Sequence, residues 1–220
     1  MHDGAIGAFL NFAIRVTTQE QKMHIIFTTS DSFFESWLQE RINSPHFDTL
    51  VLGDLAHEEA NKYFLHAVVN KTKLSEETRN LLESVDFNIP FKMTGGRMVF
   101  IKKYVQQVHE SAMRFRPVQL AYTVIQGNFL GRAKTFGKKE ALAVSELLVN
   151  SSCGYTSYHR LVEQFGGAVV EEMVQRNFLH LCPVSEFSRD LIPSPSEPVV
   201  TAQSEPALRA MEAFVNKFVK

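Results

Sequence analysis

Apolar side chains recur at every third or fourth position along much of the chain, and this spacing predicts amphipathic helices. The first predicted helix covers residues 4–16, and the last begins at Glu205. A helix capped by Ser75 and a long helix from Met98 lie between them. The same spacing predicts further helices at residues 32–44, 56–69, 118–125, 138–149, 157–165 and 168–177. The pattern therefore indicates a chain that is mainly α-helical.

A strand is predicted at residues 23–27, because four of its five positions are apolar and such a run is typical of a strand buried on both faces. Ser32 and Glu35 have the spacing of a capping box, so a helix is predicted to follow directly. Ligands of open α/β sheets bind beyond the carboxyl ends of the strands. The hydroxyl residues that would lie at that edge are Thr28, Thr29 and Ser30. A second short apolar run covers residues 47–52.

The last third of the chain has a different pattern. Three predicted helices are followed by a strand at residues 178–182, a proline-rich loop at 193–198 and a short apolar run at Val199 and Val200. Three helices followed by two strands around a loop is the pattern of a winged helix. We place a domain boundary near residues 131–137, where two glycines enclose a basic linker.

Composition limits the classes of protein that fit the chain. With 220 residues and 45% hydrophobic content, it can bury one ordinary core or two small ones. No apolar run approaches the ~20 residues of a membrane span, and the N-terminus lacks the basic region of a signal peptide. We therefore expect an intracellular, cytoplasmic protein with no membrane partner, in which Cys153 and Cys182 are reduced thiols.

Positive charge is concentrated in the middle of the chain. Residues 97–139 contain nine Lys or Arg and one acid, Glu110, although the whole chain has a net charge of −1. Such a stripe could attract phosphates, an acidic partner or an acidic face of the same chain. A solvated face balanced by acidic flanks would have the same composition.

No motif of a complete active site is present in the sequence. The nearest approach to a phosphate-binding P-loop, residues 127–135, has the wrong spacing, and His57-Glu58 lacks the second histidine of a zinc motif, since Asn61 stands there. No catalytic residue and no metal ligand is predicted. Gly95 and Gly96, which precede a helix, allow either a close approach of the backbone to another group or a positive φ angle, and a helix N-terminus favours anions.

Three segments, in this order, resemble parts of AAA+/STAND-class ATPases, closest to the archaeal-like ATPases related to NB-ARC proteins. IIFTTS at residues 25–30 is similar to the sensor strand, LGDLAHEEA at 52–60 to the entry into the helical lid, and TGGRM at 94–98 to the lid motif. The resemblance implies an α/β remnant of a P-loop NTPase sheet (sensor strand plus helices), a helical lid and a C-terminal winged helix, mainly α overall. The implied domains are residues 1–53, 54–130 and 131–220.

The resemblance also implies a ligand, which is ATP with Mg²⁺ in the complete module. Thr28, Thr29 and Ser30 would orient the terminal phosphate. The nucleotide contacts expected from the lid are Gly95, Gly96 and Arg97. Positioning and charge stabilisation do most of the work in phosphoryl transfer, so these groups would act without covalent chemistry.

The chain departs from the family pattern at several positions. Ser30 replaces the arginine that senses the terminal phosphate in NB-ARC members, Met98 replaces the proline of the lid motif, and Arg189 takes the place of a histidine near the wing. The P-loop and the magnesium-binding strand would lie before Met1. We therefore expect a truncated or partial ATPase that does not hydrolyse ATP alone and whose partner is a missing N-terminal ATPase segment or a second copy.

Two other functions fit the sequence. A winged helix could bind nucleic acid through the basic stripe, although its candidate reading helix carries Glu171 and Glu172 against a single Arg176. Alternatively, the eighteen phenylalanines could form an interaction surface of a scaffold for a partner protein.

Overall fold

The computed structural model describes residues 3–29, 33–42, 46–70, 74–111, 133–184 and 191–218. The predicted positions that lie outside these residues include Ser30, Ser32, the helix at 118–125 and Arg189. The chain divides into two compact units, Met1–Leu50 and Val51–Lys220, and each is described by itself.

The described residues of the first unit include two α-helices. Helix α1, Asp3–Ile14, confirms the predicted N-terminal helix and continues as a π-helical turn, Arg15–Gln19. Helix α2 is Phe34–Gln39. Leu10 of α1 packs with Leu38 and Ile42 in a small core. Around these three lie partly buried side chains, namely Ile6, Ile14, Phe34, Trp37 and Phe47.

The predicted buried strand at residues 23–27 is wrong. Residues 21–29 form no strand, and the side chain of Ile26 is 84% exposed. The apolar run at 47–52 is also irregular, and Leu52 is 77% exposed. A strand is stable only when neighbouring strands pair with it and cover its faces. The described residues of this unit contain no strand at all, so an apolar run alone does not produce a sheet.

Four helices begin the second unit. They are α3 (His57–Val69), α4 (Glu76–Ser84), α5 (Asn88–Thr94) and α6 (Met98–Ser111). Ser75 caps α4 as predicted, because its hydroxyl accepts a hydrogen bond from the Thr78 amide at 3.2 Å. The apolar faces of α3, α4 and α6 meet in one core, whose buried members are Ala60, Phe64, Val68, Leu74, Leu82, Phe87, Ile101 and Val105.

Helix α5 is absent from the sequence prediction. It contains Pro90, a residue that usually breaks a helix, but Pro90 lies in the first turn. The first amides of a helix have no partner within the helix, so a proline there removes no hydrogen bond. The helix ends at Gly95, whose φ of +59° lies in the left-handed region.

In its described residues, the remainder of the unit combines four helices with a small sheet. Its elements are α7 (Lys138–Val149), β1 (Tyr155–Ser157), α8 (Tyr158–Phe165), α9 (Gly167–Gln175), β2 (Leu179–Cys182), β3 (Val199–Ala202) and α10 (Glu205–Phe218). The strand order is β1-β3-β2, and both pairs are antiparallel. Thr201 lies opposite Tyr155 on one side and His180 on the other. The predicted helices and the strands β2 and β3 are confirmed, whereas β1 was not predicted.

Helix α10 packs against α7 and β3, and also against α5. Its inward face is fully buried at Ala210, Met211 and Phe214. The described part of the chain is therefore mainly helical, as the coarse prediction stated. Its sheet has three antiparallel strands, an arrangement that the sequence did not predict. The boundary predicted near residues 131–137 stays a prediction.

Candidate functional site

The turn between α5 and α6 contains Gly95, Gly96 and Arg97, three residues that the sequence singled out. Gly96 lies against the backbone of Leu55, and the Leu55 amide donates a hydrogen bond to the Gly96 carbonyl at 3.0 Å. A Cβ atom at Gly96 would lie 1.9 Å from the Leu55 carbonyl oxygen. The backbone thus makes the predicted close approach, and its neighbour is a segment of the same chain.

Gly95 shows the second feature that the sequence allowed, because its φ angle is positive. A Cβ atom there would also lie 2.9 Å from the Cβ of Glu205 on α10. Packing within the chain therefore accounts for both glycines. Among the predicted lid residues, Arg97 is the one whose side chain can contact a ligand.

Arg97 forms an ion pair with Asp54. Its Nε donates to the Asp54 carboxylate at 3.0 Å, and the two side chains are 27% and 30% exposed. The guanidinium carbon also lies 5.9 Å from the centre of the Phe100 ring. Together with the hydrogen bond between Leu55 and Gly96, the ion pair attaches residues 53–55 to the turn.

An open cavity of about 450 Å³ lies beside this turn. Asp54, Tyr63, Arg97, Met98 and Lys102 contribute to its walls. Two of these side chains are cations, and Met98 is the first residue of α6, whose N-terminal end carries partial positive charge. The cavity thus combines apolar walls with groups that attract anions.

The other predicted phosphate-binding residues belong to the first unit. Thr28 and Thr29 are exposed in the irregular segment 21–29, and Ser30 lies outside the described residues. Gly95, Gly96 and Arg97 lie in the second unit. The structure thus brings the three lid residues together in one turn, whereas a site shared with Thr28, Thr29 and Ser30 stays a prediction.

Glu172 on α9 is a residue whose role the sequence did not reveal. Its carboxylate accepts hydrogen bonds from the amides of Lys134 and Thr135, at 3.0 and 2.6 Å, and from the Thr135 hydroxyl at 2.5 Å. Arg176 Nε donates to the same carboxylate at 2.6 Å. We call this group of contacts the Glu172 clasp.

The contacts of the Glu172 clasp strongly favour the charged form of the Glu172 carboxylate over its neutral form. The Thr135 hydroxyl, followed by the Lys134 amide and the Arg176 guanidinium, lowers the pKa of Glu172 to about 2. The sequence contained one signal for it, the Glu172–Arg176 spacing of four residues along a helix. The contacts to Lys134 and Thr135 span nearly forty residues and leave no local pattern.

In the described ranges, no three His, Cys, Asp or Glu side chains are grouped so that they could hold a metal ion. None of the helices described is both long and apolar enough to cross a bilayer. Neither Cys153 nor Cys182 forms a disulfide within the described residues. No protein-family model, curated protein or solved structure matches the chain.

Proposed function

We propose that the chain is the lid and winged-helix part of an AAA+/STAND-type ATPase, and that the cavity beside Arg97 contacts ATP with Mg²⁺. The observation that carries the proposal is the order of the elements. A bundle of four helices, α3 to α6, comes before a segment in which helices α7 to α9 and three short strands alternate. The Gly-Gly-Arg turn lies inside the first group, where the family resemblance requires a nucleotide contact.

The arrangement of the second group supports the winged-helix part of the proposal. Strand β1 precedes α8 and α9, and β2 and β3 follow them and enclose the long connection at residues 183–198. The last strand in sequence, β3, lies between the other two. The helix–strand–helix–helix–strand–strand order with this pairing resembles a winged helix and supports this part of the proposal.

The chemistry of the cavity supports a polyanionic ligand. The planar guanidinium of Arg97 suits a phosphate group, and Lys102 is a second cation that lines the cavity. In the structure, the guanidinium of Arg97 forms an ion pair with the Asp54 carboxylate. Because partly exposed ion pairs contribute only about 0.2–1 kcal/mol, a phosphate can compete with Asp54 for the guanidinium.

The proposal concerns binding and does not include hydrolysis by this chain alone. The sequence contains no P-loop, whose amides and lysine hold the phosphates in such ATPases. The exposed, irregular conformation at Thr28 and Thr29 gives no support to a role as a sensor strand. The contact expected here is therefore the one from Arg97.

A titration with a fluorescent ATP analogue and Mg²⁺ tests the proposal. We expect Arg97→Ala to weaken binding by at least about tenfold, because hydrogen bonds to charged groups contribute roughly 1.5–3 kcal/mol. Asp54→Asn should strengthen binding, since it removes the competing carboxylate. Lys103→Ala is the matched control, because Lys103 is an exposed cation on α6 that does not line the cavity.

Two results would refute nucleotide binding at this cavity. One is the absence of binding up to millimolar nucleotide, and the other is an equal loss in Arg97→Ala and Lys103→Ala. Either would favour a protein-interaction role instead.

The nucleic-acid alternative has less support. Helix α9 would be the reading helix of a winged helix, yet Arg176 is paired with Glu172 and the neighbouring Glu171 is exposed. Carboxylates on that face would repel the phosphates of a nucleic acid.

A further inference from the structure

Thr135 lies in the most basic environment of any comparable hydroxyl residue in the chain. Arginine precedes a serine or threonine by three positions at Thr18, Ser44 and Thr135. Acidic residues lie within four positions of Thr18 and Ser44, whereas residues 131–139 contain no acid at all. Thr135 has Arg132 and Lys134 before it, and Lys138 and Lys139 after it.

In the structure, the Thr135 hydroxyl makes contacts that a covalent modification of its oxygen would disrupt. Thr135 is exposed in an irregular segment that leads into α7. Its hydroxyl donates to the Glu172 carboxylate and also lies 3.2 Å from the Ala168 carbonyl. Both contacts attach the segment to α9, and both need the hydroxyl hydrogen as a donor.

We propose that Thr135 is a phosphorylation site for a protein kinase that selects basic substrates, and that the phosphate opens the Glu172 clasp. Kinases discriminate among substrates by charge patterns, and the residues around Thr135 suit an acidic substrate groove. The γ-phosphoryl group of ATP passes to the Thr135 oxygen as the bond to the ADP oxygen breaks, and the hydroxyl proton goes to the catalytic aspartate of the kinase.

Opening follows from the charges at the clasp. A phosphothreonine carries about −1.5 to −2 charges at neutral pH and has no hydrogen to donate to Glu172. The dianion would face the Glu172 carboxylate, and Arg176 is the cation that the structure places at that carboxylate. If the phosphate attracts Arg176, it does so by taking that arginine from Glu172. Either way the contacts of Glu172 with Lys134 and Thr135 are lost.

The Glu172 clasp disfavours phosphorylation of Thr135, and phosphorylation of Thr135 disfavours the clasp. A kinase binds its substrate as an extended segment, so residues 133–137 must leave α9 before the hydroxyl can react. A change that opens the clasp should therefore accelerate phosphorylation, just as phosphorylation should open the clasp. The inference does not depend on nucleotide binding by this chain.

The test uses the full chain, Mg-ATP and a serine/threonine kinase with a preference for basic substrates. Phosphate is located by mass spectrometry, and amide hydrogen exchange reports whether Lys134 and Thr135 remain protected. We expect phosphate on Thr135, a rate several-fold higher in Glu172→Gln, and faster exchange of both amides after modification. Glu163→Gln is the matched control, since it removes the same charge from an exposed position on α8.

Three results would overturn the proposal. The first is no phosphate on Thr135 in either the native chain or Glu172→Gln, and the second is phosphate on Thr135 only in that variant. The third is a phosphorylated chain in which both amides keep their protection. Circular dichroism of each variant establishes that it is folded before its rate is compared.

Discussion

Because Gly96 has no side chain, two segments of the chain can pack in direct contact at this position. The absence of a Cβ atom lets the α5–α6 turn lie directly on Leu55, and the hydrogen bond between the two residues depends on that distance. The sequence left two alternatives at Gly95 and Gly96, a close approach of the backbone to another group or a positive φ angle. It could not indicate which group, because Leu55 lies some forty residues earlier and no local pattern connects the two.

Gly96→Ala should destabilise the second unit. A methyl group 1.9 Å from the Leu55 oxygen forces the backbone apart, and such overpacking costs roughly 1–3 kcal/mol. The expected result is a melting temperature lower by about 2–4 °C per kcal/mol, measured by thermal denaturation. Gly167→Ala is the control, since its nearest neighbours would lie at an ordinary 3.9 Å. Equal melting temperatures for the two variants would contradict the contact with Leu55.

At the scale of elements, local signals predicted most helices and the strands β2 and β3, but they failed at residues 23–27 and at β1. The helices α3, α4 and α7 have apolar faces that the sequence shows directly, and Ser75 marks the start of α4. The run at residues 23–27 has the composition of a strand, but a strand also requires partners that its own sequence does not specify. Strand β1 was missed because three half-buried residues give too short a pattern.

The candidate site, like the helices and strands, could be predicted only in part from the sequence. The sequence identified Gly95, Gly96 and Arg97 as a turn before a helix, and the structure has this turn. It gave no indication that Asp54 would pair with Arg97, or that Glu172 would hold residues 134 and 135. Both contacts join segments far apart in sequence, and they exist only because the helices between them pack as they do.

The attachment of residues 133–137 to α9 should depend on pH. The pKa of Glu172 in the folded chain is about 2, below the usual ~4.3 for a glutamate, so its contacts stabilise the fold fully above about pH 4.5. That stability is lost as the pH falls from about 4.5 toward 2. Denaturation with urea across this range should show a smaller pH dependence for Glu172→Gln than for the native chain.

Other carboxylates titrate in the same range, so the comparison needs a reference. The amide of Gly137 lowers the pKa of Glu140 as well, and this contribution is the same in both chains. Glu163→Gln should follow the native pH profile, because Glu163 is exposed on α8. A Glu172→Gln profile parallel to that of the native chain would show that the clasp does not stabilise the fold.

For the whole molecule, the second unit is the larger body, and α10 joins its two halves. This helix packs on α7 and β3 in one half and on α5 in the other. Phe214 is 1% exposed at the centre of its buried face, and Glu205 at its start lies against Gly95. We therefore expect the helices α3 to α6 and the three-stranded sheet to unfold together.

Phe214→Ala tests this coupling. Truncating a buried phenylalanine costs about 3–5 kcal/mol, and if α10 couples the two halves, amides in both α3 and β3 should lose protection from hydrogen exchange by similar factors. Phe218→Ala is the control from the same helix, since its ring is 38% exposed and should give a smaller, local effect. Loss of protection in β3 alone would mean that the helical half is stable without α10. In that case the cavity beside Arg97 would not respond to changes in the sheet, whereas coupled loss would allow a ligand at Arg97 to alter the stability of the sheet through α5 and α10.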